Sequence, residues 1–280
     1  MSEKWCIVAD SACDLSIEEG KKLGIAYEKI PFMLLVGKNE YIDDGSIDID
    51  VMLDDMEAQS EAARSSCASP GTWAEVFEKY DNTIAVTISS ELSGSYNSAL
   101  TAKQMMLEDH PEKKICVIDS KSTGPALVNL VYKAAKYIRH EMSFDEVCDM
   151  LQKNVEHMHT VFALCSFNNL VKNGRMNKIA GFLAGKLGFW GVGIAKNGKV
   201  CIKGKARGLK AAVAEIMKDF KENNFNGGKV FISHCNNLAA AERIKKEILS
   251  LHPDSKVKIM QTGGLDSFYA ERNGLIITYI

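Results

Sequence analysis

The sequence predicts an α/β chain in two parts: an N-terminal Rossmann-like domain with a mainly parallel sheet, then a C-terminal α+β two-layer domain with a mixed sheet. Three observations lead there. The apolar runs Trp5–Ala9, Thr83–Ile88 and Lys114–Ile118 each end in a polar loop and are followed by helical spacing, which is the grammar of a doubly wound sheet. The second half instead places Asn197-Gly198 between two β-rich runs, a hairpin signal. The 280 residues are 46% hydrophobic and 25% charged, enough to bury a sizeable core without staples.

The elements follow in order. Ser16–Glu19 is a capping-box pattern that opens a short helix before Gly24. Residues Ile25–Val36 are β-rich and broken by Pro31, so they read as an interrupted or edge strand. A helix is expected over Asp50–Gln59. Ser69-Pro70 supplies an N-cap and a first helical residue, and Trp73, Val76, Phe77 and Tyr80 continue with helical spacing. Long helices follow the second and third central strands, to about Leu107 and Ile138. In the second half Thr160–Cys165 reads as a strand and 178–188 as a short, glycine-broken helix. Then come the hairpin, a helix over Leu209–Phe220, a strand over Val230–Ser233, a helix over Leu238–Leu251, and strands near Val257–Gln261 and Leu275–Tyr279. The boundary between the domains, 1–157 and 158–280, is expected near residue 157.

Composition narrows the function classes. The formal net charge is −2, and the basic clusters at 203–210 and 243–246 are short, so no field invites nucleic acid. No apolar run approaches the roughly 18–20 residues of a bilayer span, and Met1–Ala9 is too short for a secretory signal. The eight cysteines are scattered without a CxxC pair, as expected of free thiols in a cytoplasmic protein rather than of a metal site. Phosphate-loop, dinucleotide, nucleophile-elbow and metalloprotease motifs are absent.

What remains is polar and lies at strand ends. Ligands of doubly wound sheets bind outside the carboxyl ends of the strands, here Asp10-Ser11, Ser89-Ser90 and Asp119-Ser120. Residues 64–70 bring Ser65, Ser66 and Ser69 to a helix start, where hydroxyls and free N–H groups together favour an anion. Residues 89–98 hold five serines, with Gly94 allowing close backbone approach. Gly174-Arg175 is an anion clamp or a surface turn. A serine nucleophile needs a base in reach, and no serine–histidine spacing supplies one.

Several segments together resemble the DegV family, the fatty-acid-binding (FakB-type) subunits of bacterial fatty acid kinase. Ala9-Asp10-Ser11-Ala12-Cys13-Asp14-Leu15 resembles the family's T/A-D-S-x-x-D-L loop. Ser65 to Pro70 resembles its T-S-Q-P-S-P segment, and Ser89 to Ala99 is similar nearly residue for residue to S-S-x-L-S-G-T-Y-x-S-A. Asp119–Gly124, Leu170–Met176 and Lys205–Ala211 resemble three further family segments, in the expected order.

The resemblance implies a non-enzymatic bacterial lipid carrier. One long-chain fatty acid would lie between the two domains, its carboxylate on the hydroxyls of Ser65 and Ser93, with Ser66, Gly94, Arg175 and Gln261 near the head group. No metal or other cofactor is expected. A separate fatty acid kinase subunit would phosphorylate the carboxylate, with Arg207 contacting the phosphate or that partner. Phe167, Ile179, Phe182, Leu183 and Trp190 are the acyl-tunnel candidates. The chain departs from the family pattern twice: Gln261 stands where H-T-G-P-G has histidine, and Phe189-Trp190-Gly191-Val192 replaces I-K-P-I. Gln261, unlike that histidine, cannot carry a proton charge. Two alternatives stay open. One is an enzyme acting on a small phosphorylated or carboxylated substrate in the same cleft, using Asp10 or Asp119 with His234. The other is a carrier of another apolar ligand without a kinase.

Overall fold

The computed structural model describes residues 4–59, 63–176 and 188–280. Strand β1 (Trp5–Asp10) leads into a short α1 (Ile17–Gly20) and one 3-10 turn, then β2 (Ala26–Ile30). Pro31 separates β2 from β3 (Met33–Val36), which turns back as β4 (Asn39–Ile42). Next come α2 (Ile49–Ala58), β5 (Arg64–Ser66), α3 (Pro70–Glu78), β6 (Asn82–Thr87), α4 (Ser95–Asp109), β7 (Lys114–Asp119), α5 (Pro125–Arg139) and α6 (Phe144–His157). The second half runs β8 (His159–Leu164), α7 (Asn168–Lys172), β9 (Phe189–Lys196), β10 (Lys199–Arg207), α8 (Gly208–Glu222), β11 (Lys229–His234), α9 (Leu238–Leu251), β12 (Lys256–Gln261), α10 (Gly264–Ala270) and β13 (Leu275–Tyr279).

The N-terminal sheet is parallel throughout, in the order β2-β1-β6-β7. Its strands read as continuous apolar runs because both faces are covered. Cys6, Val8 and Ala85 pack beneath Trp73 and Phe77 of α3 and Ala99 of α4. Ile7, Ala9, Ile84 and Val86 face α5 and α6 on the other side. The C-terminal sheet is mixed, in the order β10-β9-β8-β13-β11-β12, with only β11 and β12 parallel. Helices α8 and α9 cover one of its faces, over Val161, Val192, Ile232 and Ile277. The fold class read from the sequence is therefore the one observed.

Two signals work through identifiable chemistry. Asn197 (φ 51°) and Gly198 (φ 79°) both take the left-handed conformation that a two-residue hairpin turn needs. Ser69 caps α3, its hydroxyl accepting from the Thr72 amide at 3.4 Å, with Pro70 as the first helical residue. Two features depart from the reading. Ser65 and Ser66 do not sit on free helix N–H groups; they form β5, paired with β3 through Leu34↔Ser65 and Met33↔Ser66 in a small third sheet. A seven-residue helix, α10, stands between β12 and β13 where only loop was expected. The helix expected over 178–188 falls, save for its last residue, outside the described residues.

Helix α5 is the hinge of the packing. Eleven of its fifteen residues are buried, as expected for a helix apolar nearly all round. It contacts β1 and β6 of one sheet and β11 and β13 of the other. That sandwich leaves a space between the uncovered face of the C-terminal sheet and the serine-bearing strand ends.

Candidate functional site

The space is a cavity of about 270 Å³. Its walls come from both halves of the chain. Phe32, Ile88, Leu92 and Leu265 join Phe162, Leu164, Val200 and Ile276 as apolar lining, while Ser65, Ser66, Ser93, Gly94, Thr123, Arg175, Asp266 and Tyr269 supply the polar part. A mostly apolar chamber with a few convergent polar groups is the ordinary form of a small-molecule site.

Strand alternation builds the apolar wall. On β8, Thr160, Phe162 and Leu164 face the cavity while Val161 and Ala163 face α8. On β9, Gly193 leaves room for the Phe162 ring, because an added Cβ would stand 2.4 Å from Phe162 Cζ and 2.5 Å from the Cys201 carbonyl oxygen. The same alternation corrects one expectation. Trp190 shares its face with Val192, so its ring is buried in the core beneath α8 and does not line the cavity. Phe167 is one layer back, packed edge-on to Phe162 with ring centroids 6.4 Å apart. Ile179, Phe182 and Leu183 lie outside the described residues.

The serines of 89–95 divide by their partners. Ser89 Oγ donates to the Gly198 carbonyl at 2.7 Å and docks the β9–β10 turn. Ser90 Oγ donates to Asp119 at 2.6 Å, and Ser95 Oγ to the buried Asp10 at 2.7 Å. Among the described residues Ser93 Oγ only accepts, from the Ser95 amide at 3.2 Å, which leaves its own proton available toward the cavity. Gly94 precedes α4 without any side-chain cap. Its φ of −72° is ordinary, and a Cβ there would meet only Cys67 Sγ at 3.5 Å. What its lack of a side chain does is leave the cavity clear beside Ser93.

Ser65 is held from the far side by α10: its hydroxyl and that of Tyr269 stand 2.7 Å apart. Arg175 reaches the same end. Gly174 (φ 71°) closes α7 in a left-handed turn, with the Arg175 amide donating back to the Leu170 carbonyl at 2.8 Å. The guanidinium then donates from Nε to the Leu92 carbonyl at 3.2 Å and from Nη1 to the Asn173 carbonyl at 2.5 Å. The cavity end thus receives two or three hydroxyls and one fixed positive charge.

Tyr269 and Asp266 were not found from sequence, because they lie on α10. Asp43 fixes that helix by accepting from the Gly264 and Leu265 amides at 2.9 and 2.8 Å. Asp266 accepts from the Thr123 hydroxyl at 2.6 Å, and Asp14 accepts from the Gly263 amide at 2.7 Å. Their second oxygens converge over Gly124, where a Cβ would stand 2.5 Å from Asp266 Oδ2 and 2.9 Å from Asp14 Oδ2. Neither oxygen has a hydrogen-bond partner among the described residues, with the Ser233 hydroxyl close enough to favour the Asp14 charge; one proton shared between the two carboxyls satisfies both. Burial pushes the Asp14 carboxyl up to about 6. Burial, reinforced by the Asp14 charge, lifts Asp266 well above the usual carboxylate range.

The remaining candidates lie elsewhere. Gln261 is exposed at the end of β12 and donates from Nε2 to Asn236 Oδ1 at 2.8 Å. Arg207 is exposed at the end of β10. Neither lines the cavity. The acid–base pair of the enzyme alternative is not assembled: Asp10 is held by the Ile88 amide and Ser95, Asp119 by Ser90 and the Lys121 amide, and His234 Nδ1 accepts from the Asn237 amide. Among the described residues no three His, Cys, Asp or Glu gather as a metal site, and no helix is long and apolar enough to cross a membrane.

Comparison with known proteins places this architecture. The family model described as "Uncharacterised protein, DegV family" matches residues 4–279. The chain belongs to the DegV family. A DegV domain-containing protein of Streptococcus pyogenes serotype M1 is 38% identical over 276 residues, covering 98% of this chain and 99% of that one. Among solved structures, the Streptococcus pneumoniae fatty acid kinase (Fak) B3 protein loaded with linoleic acid is 37% identical with a TM-score of 0.92, covering 99% of each chain. A DegV protein of Eubacterium eligens loaded with heptadecanoic acid is 33% identical, with a TM-score of 0.93 and 98% of each chain covered.

Proposed function

We propose that this DegV protein is a non-catalytic carrier of one long-chain fatty acid. The acyl chain lies between the domains 1–157 and 158–280, and the carboxylate rests on the hydroxyls of Ser65 and Ser93. Ser66, Gly94 and Arg175 border the head group. The observation that carries this reading is the pairing of an apolar chamber with a polar end in which the Ser93 hydroxyl has no acceptor among the described residues. The fatty acids carried by the B3 protein and by the Eubacterium eligens protein support it.

The energetics agree. Each buried methylene contributes roughly 0.8 kcal/mol, so the tail supplies most of the affinity. The hydroxyls and Arg175 then spare the carboxylate an unpaired burial, which would otherwise oppose binding. All eight cysteines are free, in keeping with work in the reducing cytoplasm.

Presentation to a separate fatty acid kinase subunit is the finer part of the proposal, with Arg207 as the contact to the phosphate or the partner. The fatty acid kinase relative supports it. Gln261 donates to Asn236 and lies away from the cavity, so no share in that step is assigned to it.

Native mass spectrometry of the freshly purified protein, followed by lipid extraction, tests the reading. One fatty acid per chain supports it. A chain empty of lipid, or filled by a neutral lipid without a carboxylate, overturns it.

A further inference from the structure

The positive charge on this chain is not spread evenly. A second concavity, of about 390 Å³, opens between α5 and the starts of β11 and β12. Lys136 and Arg139 reach it from the helix, Lys229 from β11, and Lys256 and Lys258 from β12. The register explains the convergence. Lys229 pairs with Lys256, and Lys258 lies two residues on, on the same face. On α5, Tyr132, Lys136 and Arg139 fall at i, i+4 and i+7, on the side of that helix that is not fully buried.

These cations are not neutralised. Lys258 is the exception: it meets Glu19 at 2.5 Å and the Tyr132 hydroxyl at 2.6 Å. The side-chain cations of Lys136, Arg139, Lys229 and Lys256 have no carboxylate or hydrogen-bond partner among the described residues. Instead they repel one another. Burial and the charges of Lys133, Lys136 and Lys256 all push the Lys229 ammonium below its ordinary value. A chain with net charge −2 gains nothing in stability from gathering like charges in a hollow, since each adds repulsion. A bound anion removes that repulsion and joins the cations.

We propose that this cleft binds a small, multiply charged phosphate anion, at a site separate from the apolar cavity. The cleft is concave, which suits a compact anion. None of the large exposed hydrophobic residues among the described residues lines it, so the cleft itself offers no apolar wedge for an interfacial contact with a bilayer. Its aromatic floor is already taken: the Tyr132 ring stacks on Phe231, with Lys258 5.0 Å from its centroid. No ring face is left for a nucleobase, so recognition rests on phosphate charge. The two sites share no lining residue, and the proposal stands whether or not the cavity holds a fatty acid.

Calorimetric titration of the purified full chain with sodium pyrophosphate, at ionic strength held constant with sodium chloride, tests it. One saturable site is expected. The double substitution Lys229→Gln/Lys256→Gln should weaken it on the order of tenfold or more, and Lys136→Gln, from the opposite wall, should weaken it as well. Without pyrophosphate the variants should melt no lower than wild type, because repulsion has been relieved, and their lipid content should be unchanged. Absence of a saturable site, or equal affinity in wild type and all variants, overturns the proposal. So does sedimentation with phosphatidylglycerol vesicles that pyrophosphate does not displace, which would mark the patch as a lipid-surface contact.

Discussion

Ser93 is set apart from its neighbours by what they do. Ser89, Ser90 and Ser95 donate to Gly198, Asp119 and Asp10, whereas among the described residues the Ser93 hydroxyl, which lines the cavity, has no acceptor. Removing one hydroxyl bond to a charged acceptor costs about 1.5–3 kcal/mol. Ser93→Ala should therefore weaken fatty acid binding about tenfold or more while leaving the melting temperature of the lipid-free protein unchanged, as titration and calorimetry would show. The buried acids set the pH response. Burial raises Asp10 to about 7 and Asp14 to about 6, from an ordinary value of 3.8. The native chain then holds more protons than the unfolded one between about pH 4 and 7, so these groups make stability fall as pH rises through that window. Asp266→Asn should flatten the fall, since an amide can accept from Thr123 and donate to Asp14 without ionising. Urea unfolding at a series of pH values checks this, and an unchanged slope would refute the shared proton. That Ser65 and Ser93 would share one cavity was legible because whole segments resemble a known family. Tyr269 and Asp266 were not, because no local pattern ties a C-terminal helix to residues some 140–200 positions away. Trp190 was misassigned because a strand in a two-faced sheet does not say which face meets ligand.

At the scale of elements, the long apolar runs and the caps were readable, since period and end chemistry are local properties. Helix α10 was not. Its seven residues begin at the second of two glycines, and its N-terminal amides are satisfied by Asp43 from another part of the chain. Strand β5 was hidden for the same reason: three residues of edge pairing carry no periodicity. The β9–β10 hairpin is the element whose placement matters most to the cavity. Its turn is pinned by Ser89, and Gly198 has both a left-handed φ of 79° and Ser89 Oγ 2.5 Å from where a Cβ would go. Gly198→Ala should destabilise the fold by about 1–3 kcal/mol and speed fatty acid release. Denaturant unfolding and a ligand-exchange assay would measure the two effects, and a variant as stable and as retentive as wild type would contradict the role given to the turn.

For the whole molecule, the cavity exists because two sheets with different habits face each other across α5. One is parallel and covered on both faces; the other is mixed, with part of one face turned toward the cavity. Bonds such as Ser122–Thr160 (2.9 Å) and Thr123–Asp266 (2.6 Å) bridge the halves around that space. A ligand held by both halves and absent from the unfolded chain stabilises by mass action, about 2.7 kcal/mol at a hundredfold excess over its dissociation constant. Delipidated protein should therefore melt several degrees lower than loaded protein, about 5–10 °C, and scanning calorimetry on both forms would show it. Equal melting temperatures would mean that the lipid is not held between the halves.

The most direct measurement separates tail from head group. Delipidated wild type and the Ser65→Ala/Ser93→Ala double variant are each titrated with a long-chain fatty acid and with its methyl ester. If the two serines bear the carboxylate, wild type prefers the acid by about a hundredfold, near 3 kcal/mol, and the double variant loses most of that preference while still binding the ester. Equal affinity of wild type for acid and ester, or a preference that survives in the double variant, would contradict that assignment.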